Sequence, residues 1–134
     1  IQQNSNTTYR VYDYGRRDQQ GNTRELHIDK ALEVTTLGPA PALERYPVRK
    51  AEGGRLQTLA DCPYFTTDKI ELDGRLTLTV DDGSFRALLC MEGAGTLHAG
   101  EQSVSFHPGD CLFVPADAGE ISLQGKGLLL LSRV

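Results

Sequence analysis

Arg10 stands among three tyrosines near the start of the chain, where polar side chains are concentrated. Side chains alternate along an extended segment, so Arg10, Tyr12 and Tyr14 are predicted to share one face, with Tyr9 and Val11 on the other. A guanidinium group is permanently charged and offers a planar fork of donors. It suits a phosphate group, or an oxygen atom that gains negative charge during a reaction. The alternative is a surface cation stacked on an aromatic ring.

Arg16 follows six residues later and falls on the same face, unless Gly15 bends the segment away. The preceding run, residues 2–8, contains no aliphatic side chain. It cannot be held by burial of apolar surface, and hydrogen bonds, a partner or a ligand must fix it.

Other chemically competent side chains are scattered along the chain. His27 has no second His, Asp or Glu at metal-ligand spacing, so a structural role is expected for it. The three cysteines lie far apart without CxxC spacing, which indicates reduced and mostly buried thiols rather than disulfides or a zinc site. They are Cys62, Cys90 and Cys111.

The length and composition of the chain limit how many domains it can form and which kinds of partner it can bind. A chain of 134 residues with 39% hydrophobic and 24% charged residues forms one ordinary domain, or one small domain with a piece of another. A net charge of −4 argues against a general nucleic-acid binder. No apolar run is long enough to cross a bilayer and no secretory signal is evident, so a cytoplasmic location is expected.

The first third of the chain predicts irregular structure. Residues 17–22 are typical of a solvated turn, and Leu26 and Ile28 alternate with polar neighbours as in a short strand. Asp29 is placed to cap a brief helix over residues 30–33. The prolines and glycines of residues 38–54 indicate a linker.

Beyond Arg55 the sequence predicts an all-β domain without a helix of useful length. Short apolar runs alternate with turn signals, which favours a sandwich or barrel. The predicted strands are residues 64–72, 76–80, 85–91, 96–98, 103–106, 111–114, 121–123 and 128–131, with turns at 73–74, 81–83, 92–93, 99–100 and 107–110.

The order of the turns resembles the cupins, small jelly rolls also described as double-stranded β-helices. The residues that carry this resemblance are 89–97, Gly100, 108–110 and 114–116. Cupins can hold a metal on three histidines and one carboxylate, but the expected histidines are missing, and Glu120 stands where the last one would be. We therefore expect a metal-free cupin over residues 55–134 with Glu120 at its rim. Leu88, Cys90, Phe113 and Leu129 are the predicted core residues.

A second resemblance covers the start of the chain. Residues 4–13, followed by Gly21-Asn22 and residues 24–28, closely resemble the type I mannose-6-phosphate isomerases in their short bacterial form. These enzymes interconvert mannose 6-phosphate and fructose 6-phosphate through an enediol, using zinc in a catalytic cupin. The resemblance implies that Arg10 is catalytic and that Arg16 lies near the sugar phosphate. The family's zinc ligands lie upstream of residue 1, so no metal is expected in this chain.

This resemblance predicts three regions: a C-terminal remnant of the catalytic cupin over residues 1–37, a linker over 38–54, and a second cupin over 55–134. The chain does not begin with Met, and a C-terminal portion that is inactive alone is expected. The alternative is a non-catalytic cupin-like module for binding or oligomerisation. Residues 7–14 would then add to a β-sheet edge and form at least a dimer.

Overall fold

The computed structural model describes residues 7–39, 42 and 45–134, and most of the predicted polar run at residues 2–8 lies outside them. Contacts along the chain divide it into two compact units, Ile1–Ala42 and Leu43–Val134. In the described parts of the chain, no helix has the length and apolar character needed to span a membrane.

The second unit is an antiparallel β-structure. Its strands are β1 (Arg49–Ala51), β2 (Gly54–Cys62), β3 (Phe65–Val80), β4 (Arg86–Ala99), β5 (Gln102–Phe106), β6 (Cys111–Val114) and β7 (Gly119–Arg133). They are hydrogen-bonded in the order β1-β2-β3-β7-β4-β5, and β6 also pairs with β4. The all-β prediction for this region is confirmed. β1 lies within the range assigned to a linker and pairs with β2 as a hairpin.

Three strands are much longer than the sequence predicted. The turns expected at residues 73–74 and 92–93 are wrong, because β3 and β4 continue through them, and β7 likewise joins two predicted strands. Each long strand instead carries glycine residues near its middle, where Gly74 lies opposite Gly125 and Gly93 lies opposite Gly127. We call this position along the three strands the glycine level. Gly125 has φ of +150°, and a Cβ atom there would collide with the backbone oxygen of Ala94. Glycine therefore permits close strand approach here without ending the strands.

The long strands serve both halves of the unit. β7 pairs with β3 along its whole length and with β4 along most of it. On one side of the glycine level β2 pairs with β3 and β6 pairs with β4, and on the other side β5 pairs with β4. Apolar side chains from both halves form one core of thirteen buried residues. They are Ile70, Leu72, Leu76, Val80, Leu88, Cys90, Leu97, Phe106, Val114, Ile121, Leu123, Leu129 and Leu131.

The core prediction is confirmed for three residues and wrong for Phe113, which is 65% exposed. Phe113 lies opposite Ala87, whereas the buried Leu88 lies opposite Leu112. Directly paired antiparallel residues share a face, so Phe113 is on the outer face. There it stacks on Phe85, with ring centroids 5.1 Å apart.

The expectation of mostly buried cysteines is also wrong, because Cys62 and Cys111 are exposed. Only Cys90 is buried, and burial raises the pKa of its thiol. Glu120 is exposed at the start of β7, as expected for a rim residue.

The described residues of the first unit include one short helix, α1 (Ile28–Val34). It begins two residues earlier than predicted, and Ile28 belongs to it rather than to a strand. His27, not Asp29, occupies the N-cap position, and no side-chain hydrogen bond caps the helix. Residues 7–14 form no strand, which contradicts the extended segment predicted around Arg10.

Candidate functional site

Arg10 is held by hydrogen bonds to a neighbouring piece of chain. Its backbone N–H donates to Nδ1 of His27 over 3.1 Å, and its carbonyl accepts from the His27 N–H over 2.7 Å. Its Nη1 donates to the carbonyl oxygen of Glu25 over 2.9 Å. The side chain is 22% exposed. Hydrogen bonds therefore fix both the backbone and the guanidinium group of Arg10, while part of the side chain remains accessible to solvent.

The predicted aromatic face around Arg10 does not form. The rings of Tyr12 and Tyr14 contact each other edge to face, with centroids 4.9 Å apart. Tyr9 lies 6.4 Å from the ring of His27. Because the segment is irregular, alternation of side chains does not apply to it, and the neighbour of Arg10 is a carboxylate.

That carboxylate belongs to Asp13, which is 7% exposed. Arg16 donates to Oδ1 of Asp13 from Nε over 3.1 Å and from Nη2 over 2.6 Å. Arg24 donates to Oδ2 from Nε over 2.8 Å and also to Oδ1 from Nη2. Nε of Arg10 lies 4.0 Å from Oδ1. We call Arg10, Asp13, Arg16 and Arg24 the arginine cluster.

The electrostatics of the arginine cluster follow from these contacts. The hydrogen bonds from Arg24 hold the pKa of Asp13 well below its usual range, and those from Arg16 act in the same direction against partial burial. Asp13 in turn raises the pKa of Arg24. Three guanidinium cations around one carboxylate leave a net charge of about +2, which suits an anion rather than a cation.

Two turns bring the cluster together. The N–H of Arg16 donates to the carbonyl of Asp13 over 3.0 Å, so the chain turns near Gly15 and does not continue as the extended segment that would place Arg16 beside Arg10 by alternation. The predicted turn at residues 17–22 is also present, since the carboxylate of Asp18 accepts from the N–H groups of Gln20 and Asn22. An isolated bridge between Arg17 and Thr23 then returns the chain toward Asp13. Residues eleven positions apart meet in this way.

His27 has the structural role that its isolation predicted. Nδ1 of the ring accepts from the backbone N–H of Arg10 over 3.1 Å. Nε2 lies 3.8 Å from a carboxylate oxygen of Glu25. His27 therefore orients the backbone of Arg10.

The described residues do not fit a metal centre. Within residues 7–39, 42 and 45–134, no three His, Cys, Asp or Glu side chains converge on a point where they could hold an ion. A zinc site requires about three or four such ligands.

Two clefts in the β-unit offer less chemistry. One cleft, of about 480 Å³, is lined by both acidic and basic side chains. Within it, Nζ of Lys126 lies 3.4 Å from Oδ1 of Asp73. The other, of about 340 Å³, is lined mostly by apolar side chains, including Leu97, Val104 and Phe113. Neither collects unbalanced charge as the arginine cluster does.

Comparison with known proteins decides the family. Residues 55–134 match the family model described as mannose-6-phosphate isomerase, cupin domain. The chain belongs to this family. The match covers the long-stranded β-structure and confirms the cupin fold.

Relatives of the mannose-6-phosphate isomerase family match beyond the cupin domain. Mannose-6-phosphate isomerase ManA of Bacillus subtilis is 35% identical over 133 residues, which cover 99% of this chain and 42% of the relative. Mannose-6-phosphate isomerase of Streptococcus mutans is 33% identical over 115 residues, covering 85% of this chain and 35% of the relative. The chain therefore spans about two-fifths of the length of these relatives.

Solved structures agree with the family assignment. The crystal structure of mannose 6-phosphate isomerase from Bacillus subtilis superimposes with a TM-score of 0.83 at 30% identity, covering 98% of this chain and 41% of that one. A Streptomyces PAC13 structure with uridine has a TM-score of 0.62 at 15% identity and covers 73% of this chain. The latter shows a shared fold only.

Two members of the arginine cluster of this isomerase-family chain, Asp13 and Arg24, do not stand out in the sequence. The available signal is four arginines and two aspartates within residues 10–24. Such spacing becomes informative only when the intervening turns are known.

Proposed function

We propose that this chain is the C-terminal portion of a mannose-6-phosphate isomerase that interconverts mannose 6-phosphate and fructose 6-phosphate. The observation that carries the proposal is the match to Bacillus subtilis ManA, which is 35% identical over 99% of the chain. Residues 1–37 would then complete the catalytic cupin, and residues 55–134 would form a second cupin that supports it. The family resemblance supports a cytoplasmic location for the enzyme.

Arg10 is the proposed catalytic cation. Moving a proton between C1 and C2 of the sugar passes through an enediol whose oxygen gains negative charge. A positive group that is already in place stabilises this charge without reorganising during the reaction. The three hydrogen bonds that tether Arg10 to Glu25 and His27 support such a preorganised role.

Arg16 is the proposed contact for the sugar phosphate. Its side chain is 64% exposed, and its Nε and Nη2 are already occupied by Asp13. Nη1 donates to no atom of the described residues and is available to a phosphate oxygen. A planar guanidinium can hold a carboxylate on one edge and a phosphate on another.

The zinc ion that the family resemblance implies would be held by residues of the intact enzyme outside this chain. The described residues contain no suitable group of ligands. We therefore expect the 134-residue chain to be inactive alone, while its basic residues still contribute to the site of the intact protein.

Isomerisation of mannose 6-phosphate by this chain and by the complete open reading frame that contains it tests the proposal. The complete protein is expected to turn over, and the chain alone is not. In the active protein Arg10→Gln should lower kcat about 10²–10³-fold, the usual cost of losing one preorganised donor. Arg17→Gln is the matched control, because Arg17 is exposed and donates only to the carbonyl of Gly21.

Two results would contradict this proposal. Turnover by the 134-residue chain would show that it contains the whole active site. An Arg10→Gln enzyme as active as Arg17→Gln would remove Arg10 from the catalytic step.

A second candidate function is an oligomerisation module. Leu89, Met91 and Phe113 are exposed apolar residues on β4 and β6, whose outer face would ordinarily be polar. Such a surface is typical of contact with another protein. Light scattering of the chain at high concentration separates the candidates, because a module of this kind must be at least a dimer.

A further inference from the structure

Arg16 and Arg24 share one carboxylate although they lie on different segments of the chain. Both bind Asp13 through Nε and Nη2, so the same two groups of each guanidinium are engaged. Nη1 of each donates to no acceptor among the described residues. The side chains are 64% and 50% exposed, whereas Asp13 is almost completely buried. Two oriented cations thus retain unused donors beside one buried anchor.

We propose that Arg16 and Arg24 form a two-arginine clamp for the phosphoryl group of a phosphosugar, with Asp13 as the positioning residue. This inference rests on the proposed role of Arg16 and extends it to Arg24 and Asp13. The ligand class follows from charge and shape, since a phosphate dianion accepts several hydrogen bonds and guanidinium groups match its geometry.

Asp13 explains how the clamp persists without its ligand. Three guanidinium groups close together repel one another, and a buried carboxylate among them offsets that repulsion. It also limits the rotamers of Arg16 and Arg24, so less conformational entropy is lost when an anion binds. The remaining charge of about +2 matches the charge of a phosphate dianion.

Arg17 provides a control for nonspecific attraction. It is exposed and adjacent to Arg16 in sequence, but its guanidinium donates to the carbonyl of Gly21 instead of Asp13. A general effect of positive charge would involve Arg17 as much as Arg24. The clamp involves only the two arginines held by Asp13.

Titration of the 134-residue chain with inorganic phosphate, followed by NMR of the arginine Nε–Hε groups, tests the clamp directly. Saturable shifts are expected at Arg16 and Arg24 and not at Arg17. Arg24→Gln should weaken phosphate binding about tenfold or more, the usual cost of losing a charge-assisted hydrogen bond. Arg24→Lys should recover only part of this loss, because an ammonium group cannot bind Asp13 and phosphate with the same fork.

Asp13→Asn tests positioning while both arginines remain. Weaker phosphate binding is expected, together with broadening of both Nε–Hε signals, and backbone spectra identify any loss of the fold. If Asp13→Asn unfolds the first unit, Arg24→Gln still tests the clamp, because that variant keeps the ion pair between Asp13 and Arg16. Equal phosphate affinity in the Arg17→Gln and Arg24→Gln variants, or full recovery in Arg24→Lys, would overturn the clamp.

Kinetics of the complete isomerase separate this inference from the proposed function. Arg24→Gln should raise KM for mannose 6-phosphate about tenfold with a smaller change in kcat, since ground state and transition state both carry the phosphate. An active enzyme whose KM is unchanged by Arg24→Gln would refute the clamp and leave the isomerase assignment intact. A complete protein without isomerase activity, but with phosphate bound at Arg16 and Arg24, would refute only the assignment.

Discussion

The two units of this chain are built around opposite kinds of centre. Among the described residues of Ile1–Ala42, Asp13 is the only buried one, and arginines surround it. The helix α1 in that unit has no buried residue. The described residues of the unit Leu43–Val134 instead include thirteen buried apolar residues from five of its seven strands. One unit is organised by ion pairs and the other by hydrophobic burial.

This difference separates a functional element from a scaffold. Apolar burial stabilises a fold without any ligand and depends little on pH. A buried carboxylate is costly to remove from water and is retained only with partners that satisfy it. Departure from apolar packing is expected where a protein performs chemistry. The arginine cluster is such a departure. The cupin unit also buries Asp68 and Arg86, but each pairs with a single group of opposite charge and leaves no net charge.

The largest expected difference in stability is between substitution of a buried phenylalanine and substitution of an exposed one in the cupin unit. Phe106→Ala should lower the free energy of unfolding of the cupin unit by about 3–5 kcal/mol, because the ring is completely buried. Phe113→Ala should cost about 1 kcal/mol or less, since it loses mainly its stacking with Phe85. Urea denaturation measures both. Similar losses for the two variants would mean that the outer face is buried in solution.

Two glycines provide the next comparison. Gly125→Ala should cost at least about 2 kcal/mol, because a Cβ atom would meet the backbone at Ala94 and φ is +150°. Gly100→Ala, in an open turn with φ of +57°, should cost about 1 kcal/mol. Thermal unfolding monitored by circular dichroism distinguishes the two. A Gly125→Ala protein as stable as Gly100→Ala would refute the close approach of β4 and β7.

Lowering the pH is expected to have the smallest effect, and this effect is confined to the stability of the first unit. The lowered pKa of Asp13 means that its ion pairs contribute fully above the ordinary aspartate pKa of about 3.9. Their contribution declines as the pH falls from there toward the lowered value. The protection factor of the Arg16 amide, which corrects for the pH dependence of intrinsic exchange, should therefore fall below about pH 3.9. In Asp13→Asn the exchange should already be fast at neutral pH, with no further step at Asp13; an unchanged pH profile would contradict this account.

Much of the cupin domain could be predicted from sequence because its signals are local. The hairpin at Gly100 and the turn before Cys111 depend on neighbouring residues, and both are present. The predicted ends of β3 and β4 failed at Gly74 and Gly93. Glycine occurs both in tight turns and within continuous strands that bend. The two cases differ only in whether a neighbouring strand pairs through the glycine, and the local sequence does not show this.

The candidate site was predicted less completely for a related reason. The resemblance to the isomerases points to Arg10 and Arg16 from residue types and spacing alone. The grouping of Arg24 with Asp13 depends on the bridge between Arg17 and Thr23 and on the hydrogen bonds of Asp18. Strand alternation also placed Arg10 beside tyrosines, although the segment forms no strand.

Three features follow from residue types, short spacings and whole-chain similarity: the family, the all-β class of the larger unit, and Arg10 and Arg16 as candidate site residues. Three others exist only in the folded chain: Phe113 faces outward, the long strands continue through glycines, and Asp13 joins Arg16 to Arg24. These facts depend on contacts between distant parts of the chain, and the energies of such contacts are not determined by local sequence.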